Sequence, residues 1–176
     1  MDLKERTVKV NYVYQGKIVN LRCDDAALPD GRPCKREMVE HPGGASVLCV
    51  YEGKVALVRQ FRYAYQEELL EIPAGKLEKG EDPMLAAKRE LEEETGLMAS
   101  ELKPLFTLYP TPGYTNEKIY IYEASGVTAG KQHLDEGEFL NVVFLPVEEV
   151  ARMIETGEIR DAKTIVAVQS YLLKQK

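Results

Sequence analysis

The sequence has no run approaching about twenty apolar residues, so nothing in it reads as a membrane-spanning helix. Its first residues, Met1-Asp2-Leu3-Lys4-Glu5-Arg6, are dominated by charge and lack the apolar core of a signal peptide. Cysteine is scarce. Cys23, Cys34 and Cys49 are an odd number without metal-type spacing, which argues against a disulfide framework and predicts reduced thiols in the cytoplasm. Repeats and low-complexity stretches are missing, and so is any basic cluster or arm. With 23 Lys and Arg against 29 Asp and Glu the net charge is −6, and an acidic domain repels phosphate backbones, so a nucleic-acid partner is disfavoured. The same charge opposes a small phosphorylated ligand unless divalent cations stand between carboxylates and phosphates. What is present is an ordinary globular balance, 44% apolar and 30% charged over 176 residues, enough for one domain or one domain with a small appended sheet.

The residues from Thr7 to Tyr14 and from Lys17 to Cys23 alternate around Gln15-Gly16 and predict a β-hairpin. Leu28-Pro29-Asp30-Gly31 predicts a turn, with a third strand from Cys34 to His41. A sheet that small is marginal alone, so residues 1–42 are expected to pack on something and to serve dimerisation. After Pro42-Gly43-Gly44 the pattern becomes more apolar: strands over Ala45 to Tyr51 and Lys54 to Phe61 join at Glu52-Gly53, and Leu69 to Ile72 is a shorter one. Asp82-Pro83 predicts a helix start, Asp as N-cap and Pro at the first helical position, and Gly96 its end. Strands follow over Leu102 to Leu108, Lys118 to Ala124 and Leu140 to Leu145, then amphipathic helices over Pro146 to Thr156 and Asp161 to Leu173. The expected domain, residues 43–176, is α/β with a mixed sheet sandwiched by helices.

Chemistry concentrates between Gly75 and Leu97. On a helix Glu90, Glu93 and Glu94 fall within one arc of about 100°, with Met84, Ala87 and Leu91 on the adjoining arc, free to pack on a sheet. Arg89 lies one turn before Glu93, where an ion pair can hold that carboxylate. Like charges so spaced repel by a few tenths of a kcal/mol per exposed pair, whereas a hard cation such as Mg²⁺ reverses the sign. Gly75 and Gly80 let the preceding loop bend back so that its carbonyls complete a site. A solvated acidic helix face is the rival reading, and for glutamates alone the better one. Spacing decides against it. Glycine, five residues, glutamate, seven residues, then Arg89-Glu90-Leu91-Glu92-Glu93-Glu94-Thr95-Gly96-Leu97 is similar at all nine constrained positions to the signature box of the Nudix hydrolases. A chance match has odds of roughly one in ten million from average residue usage.

The resemblance continues outside the box. Val58-Arg59-Gln60-Phe61-Arg62, Glu71-Ile72-Pro73-Ala74-Gly75, Tyr109 to Glu117 with Pro112 fifteen residues beyond Leu97, and the tail Gly157 to Thr164 all resemble the ADP-ribose pyrophosphatase branch. It implies the Nudix α/β/α sandwich with a mixed sheet plus a small N-terminal antiparallel β-sheet, a homodimer, and two or three Mg²⁺ ions, with Mn²⁺ as a substitute. By the same resemblance Glu90 and Glu94 are the main metal ligands, Glu93 a further or water-bridged one, and the Ala74 carbonyl completes a coordination sphere. Arg89 orients the cluster and Glu81 supports the loop. Arg62 contacts the phosphates or the terminal ribose, Glu117 at the end of the proline-glycine loop contacts a ribose, Gly113 of that loop is a further substrate-binding residue, and Arg36 reaches the substrate of the other subunit. Glu136 and Glu138, in a loop that would otherwise read as a solvated turn, become the general base and a further metal ligand, with Glu93 as the alternative base. His133 nearby could contribute, and Tyr14 could stack on adenine, although a strand-face aromatic is its plainer reading. The implied reaction is ADP-ribose plus water to AMP and ribose 5-phosphate. Another nucleoside diphosphate sugar is the alternative substrate, and a non-catalytic nucleotide sensor the alternative outside enzymology.

Overall fold

In a strand successive side chains point to opposite faces, so short alternating segments separated by glycine, proline and asparagine form hairpins. The computed structural model describes residues 2–175. Contacts divide the chain into two units, residues 1–43 with 109–118, and residues 44–108 with 119–176.

In the first unit β1 (Arg6–Lys9), β2 (Tyr12–Gln15), β3 (Asn20–Ala27) and β4 (Pro33–Glu40) form an antiparallel sheet. β4 covers one edge of β3 along its length, while β1 and β2 lie end to end on the other. The single strand expected over Thr7 to Tyr14 is thus two. The cause is Asn11, whose N–H donates to Asp24 Oδ1 at 3.0 Å and whose side-chain amide donates to Asp25 Oδ2 at 3.0 Å. Asparagine competes for backbone partners in this way, and the register shifts on both sides of it. Arg22 bridges Asp24 and Glu40 across the sheet. Residues of the 109–118 segment join β4, with Val39 N–H donating to Tyr114 O at 2.7 Å and Asn116 N–H to Val39 O at 3.2 Å. Both β1 and β2 are exposed throughout, leaving Val8, Val10, Tyr12, Val13 and Tyr14 open on the surface.

The second unit contains β5 (Gly44–Leu48), β6 (Val50–Tyr51), β7 (Lys54–Arg62), β8 (Glu67–Glu71), β9 (Ala74–Lys76), α1 (Pro83–Thr95), β10 (Leu97–Leu108), β11 (Ile119–Ala129), β12 (Leu140–Pro146), α2 (Val147–Glu155) and α3 (Ala162–Lys174). The strands form two four-stranded sheets. One runs β10-β11-β5-β9 and is mixed, because β11 and β5 are parallel. The other runs β12-β7-β6, with β8 also on β7, and is antiparallel. The strand expected from Ala45 to Tyr51 breaks at Cys49, and the turn at Glu52-Gly53 joins β6 to β7. β9 is a strand the sequence did not announce.

Two buried clusters show the layers. Ala86, Ala87 and Leu91 of α1 pack with Ala45, Val47 and Ala56, whereas Val150 of α2 and Ala167 and Val168 of α3 pack with Leu48, Leu57 and Ile72. Helices therefore cover both faces, and the α/β/α sandwich is as expected. Among the described residues no helix is long and apolar enough to cross a membrane.

Candidate active site

α1 begins and ends as its sequence dictates. Asp82 accepts from Met84 and Leu85 N–H at 2.8 and 3.2 Å, satisfying two of the unpaired donors at the helix start, and Pro83 follows. Gly96 closes the helix at φ 71°, its N–H donating to Glu92 O at 2.8 Å. A Cβ at Gly96 would also lie 2.7 Å from Gln132 N. Between the ends Leu91, Ala87 and Ala86 face the sheet, and Met84, expected among them, stays exposed.

That seating turns two glutamates inward. Glu90 is 8% and Glu94 1% exposed. Glu94 Oε2 accepts from Ala74 N–H at 2.8 Å, which ties the helix to β9. The Glu90 carboxylate occupies the space where a side chain at Gly75 would begin. Arg89 Nη1 donates to Glu90 at 2.7 Å and to Glu93 at 2.8 Å, and its Nε to Glu81 at 3.1 Å. Glu81 also accepts from Glu78 N–H at 2.9 Å and so closes the loop between β9 and α1. Among the described residues no three acidic, His or Cys side chains converge on one point. All three box glutamates stand on α1, Glu90 and Glu93 paired with Arg89 and Glu94 with the Ala74 amide.

Burial pushes the Glu90 carboxyl above its ordinary range, Arg89 opposing and the Glu93 and Glu138 charges adding to the rise. Glu94 is pushed up to about 8, first by burial and then by Glu90 and Glu138, against the pull of the Ala74 amide and Arg62. These are the electrostatics of a site short of positive charge. Oxygen donors, mutual repulsion and burial together suit a hard divalent cation, which lets such carboxylates ionise side by side.

The loop between β11 and β12 is docked on the end of α1. Gly130 N–H donates to Gly96 O at 2.6 Å, His133 N–H to Glu93 O at 3.1 Å, and the Gln132 side chain to Glu94 O at 2.7 Å, occupying carbonyls that a helix C-terminus leaves unpaired. Beyond the docking point Glu136 is exposed in a tight turn and Glu138 is half-buried, its charge felt by both Glu90 and Glu94. A cleft of about 380 Å³ borders Glu138, lined also by Arg59, Phe61, Glu68 and Phe139. The His133 ring meets Lys131 O at 3.2 Å.

Arg62 donates from Nε and Nη2 to Glu71 at 2.6 and 2.7 Å. Glu71, 2% exposed, also takes Lys163, which pairs with Asp161 at 3.0 Å. Burial raises the Glu71 carboxyl, and Arg62 and Lys163 outweigh it and hold it below the usual range. Sequence reasoning quoted Glu71 and Lys163 within longer stretches and gave neither a role of its own. Their signal was charge at positions whose neighbours, Leu70 and Ile72, Thr164 and Ala167, are buried.

The remaining candidates belong to the first unit. Arg36 holds Glu5 through Nε and Nη2 at 2.7 and 2.5 Å, Glu117 lies 3.4 Å from His41 Nδ1, and Gly113 has open space around it. Tyr14 is exposed on β2.

The chain resembles known proteins along nearly its whole length. Residues 40–168 match the NUDIX domain. The chain is 42% identical to the ADP-ribose pyrophosphatase of Bacillus subtilis (strain 168), across 98% of this chain and 95% of that protein. It is 40% identical to the methanol dehydrogenase activator of Bacillus methanolicus, again across 98% and 95%. The fold resembles that of a crystal structure titled ADP compounds hydrolase, with a TM-score of 0.85 at 22% identity over 99% of this chain and 98% of that one. With the box glutamates seated on α1 and the match spanning most of the chain, this protein belongs to the Nudix family.

Proposed function

We propose that the protein hydrolyses the diphosphate of ADP-ribose to AMP and ribose 5-phosphate in a reaction that requires Mg²⁺. The observation that carries the reading is the buried pair Glu90 and Glu94, both raised by burial and by Glu138, beneath a strand whose glycine makes room for one of them. The near full-length likeness to an ADP-ribose pyrophosphatase supports the choice of substrate. Glu90, Glu94, Glu138 and the Ala74 carbonyl would hold the ions, and Glu93 would hold one directly or through water. When bound, Mg²⁺ neutralises the diphosphate and lowers the pKa of a water toward neutrality.

The chain's own residues supply the rest. Arg89 keeps Glu81, Glu90 and Glu93 in one arrangement through its planar fork. Arg62 donates to the substrate, and Glu136, exposed and free of a cationic partner among the described residues, accepts the proton of the attacking water. Across the dimer Arg36 would reach the substrate of the other subunit, with Gly113 and Glu117 on the ribose side. The apolar residues exposed on β1 and β2 support a homodimer built on this sheet. Three unpaired cysteines fit a reducing cytoplasm.

The test is a panel of ADP-ribose, other nucleoside diphosphate sugars, NADH and dinucleoside polyphosphates compared by kcat/KM. ADP-ribose should lead, EDTA should abolish turnover, and Mg²⁺ or Mn²⁺ should restore it. Undiminished turnover in chelator would defeat the mechanism, and a different leading substrate would replace ADP-ribose in it.

A further inference from the structure

Glu71 is a carboxylate with two cations. It lies in β8 between core residues Leu70 and Ile72, and Lys163 at the start of α3 is nearly as buried. Lys163 supplies a buried counter-charge that Glu71 shares with Asp161. Asp161 holds Lys163 at 3.0 Å while capping α3 through Thr164 N–H at 3.0 Å, and Thr164 Oγ1 accepts from Ile72 N–H at 2.8 Å. Glu71 is therefore held from the helix side as well as by Arg62.

Arg62 balances the remaining charge and engages both Glu71 oxygens in the paired geometry that a guanidinium makes. It differs from the other two members in exposure: its side chain is 39% exposed, against 2% for Glu71 and 8% for Lys163. Nε and Nη2 are spent on Glu71. Nη1 makes no hydrogen bond among the described residues, so both of its N–H donors are available. The guanidinium charge is also felt at Glu94. A staple needs neither the exposure nor the free edge. A device that presents one edge of an arginine to an anion needs both.

We propose that Glu71 and Lys163 are positioning residues that lock Arg62 in a single rotamer, with Nη1 presented to the substrate's diphosphate. The inference rests on the diphosphate reading above. Without Lys163 the Glu71 carboxylate loses its second hold and Arg62 samples several rotamers, so substrate is bound more weakly in ground state and transition state alike.

The experiment combines a double-mutant cycle with a measurement that needs no substrate. Lys163→Met should raise KM for ADP-ribose by about tenfold while kcat stays within about twofold, the signature of lost uniform binding. Arg62→Ala should raise KM further, and Lys163→Met should add nothing in that background, because the two residues act as one unit. Lys163→Arg should return KM toward wild type. Nitrogen-15 relaxation at Arg62 Nε should report a rigid side chain in the wild type and a mobile one in Lys163→Met. If Lys163→Met does not fold, Lys163→Gln takes its place in every arm. Additive effects on KM, or an Arg62 equally rigid in wild type and variant, overturn the proposal. A wild-type protein inert toward ADP-ribose sinks the functional reading instead, while the relaxation arm still decides whether Lys163 fixes Arg62.

Discussion

Replacing Gly75 with alanine isolates the contact between β9 and the box helix. The backbone at Gly75 is not left-handed, so alanine meets no conformational penalty there. Its Cβ, however, would overlap the Glu90 carboxylate, to which all three nearest atoms belong. Glu90 cannot yield freely, being 8% exposed and held by Arg89 at 2.7 Å. Overpacking of this kind costs about 1–3 kcal/mol, which at roughly 2–4 °C per kcal/mol for a chain of this size lowers the thermal midpoint by about 2–12 °C. The catalytic loss should be larger in proportion, since a displacement near 1 Å in a reacting site costs on the order of 10²-fold in rate. The assay is kcat/KM for ADP-ribose across a Mg²⁺ titration, alongside thermal unfolding. We expect Gly75→Ala to need more Mg²⁺ for half-maximal activity and to lose about 10²-fold in kcat/KM. Adding Glu90→Asp, which withdraws the carboxylate by one methylene, should recover the midpoint without recovering activity. Wild-type Mg²⁺ dependence and kcat/KM in Gly75→Ala would refute the reasoning, because Glu90 would then have no need of its place.

Glu136→Gln should lower kcat by about 10² to 10⁴ and leave KM nearly unchanged; retained kcat there with loss in Glu93→Gln would move the base into the box. The Glu71 carboxyl is held below its ordinary value of 4.5, so its contribution to stability is fully present above that pH and fades as pH falls through the lower folded-state value. Acid unfolding should accordingly be shallower in Glu71→Gln than in wild type, and identical acid limbs would remove Glu71 from the balance. Light scattering should report about twice the 19.8 kDa chain mass, and the mass of one chain in solution would end the dimer.

α1 was legible to the residue, because Asp82, Pro83 and Gly96 act on their own neighbourhood and the box glutamates share one helix. The hairpin at Glu52-Gly53 was legible for the same local reason. What escaped was non-local. Nothing in Ala74-Gly75-Lys76 reads as a strand until β5 lies beside it. Asn11 splits a strand only because Asp24 and Asp25 stand opposite. Glu71 and Lys163 are 92 positions apart, and they meet only because the start of α3 returns to the end of β8, where Thr164 also accepts from Ile72 N–H. Arg89 was read as a partner for Glu93 that orients the cluster, and its link to Glu81 depends on where the loop before α1 returns.

The docking of residues 130–133 on the last turn of α1 sets a mechanical boundary within the acidic loop. Its near end is clamped to the carbonyls of Glu93, Glu94 and Gly96, and its far end enters β12 at Leu140. Between the two ends Gly137, with φ 84°, turns the chain and leaves Glu136 exposed at the tip. For anyone altering this protein the loop is therefore two materials. Extra residues inserted beside Gly137 would lengthen the part of the loop that the helix does not hold, whereas one inserted between Gly130 and His133 would shift the anchoring hydrogen bonds by a register and drag the tip off α1.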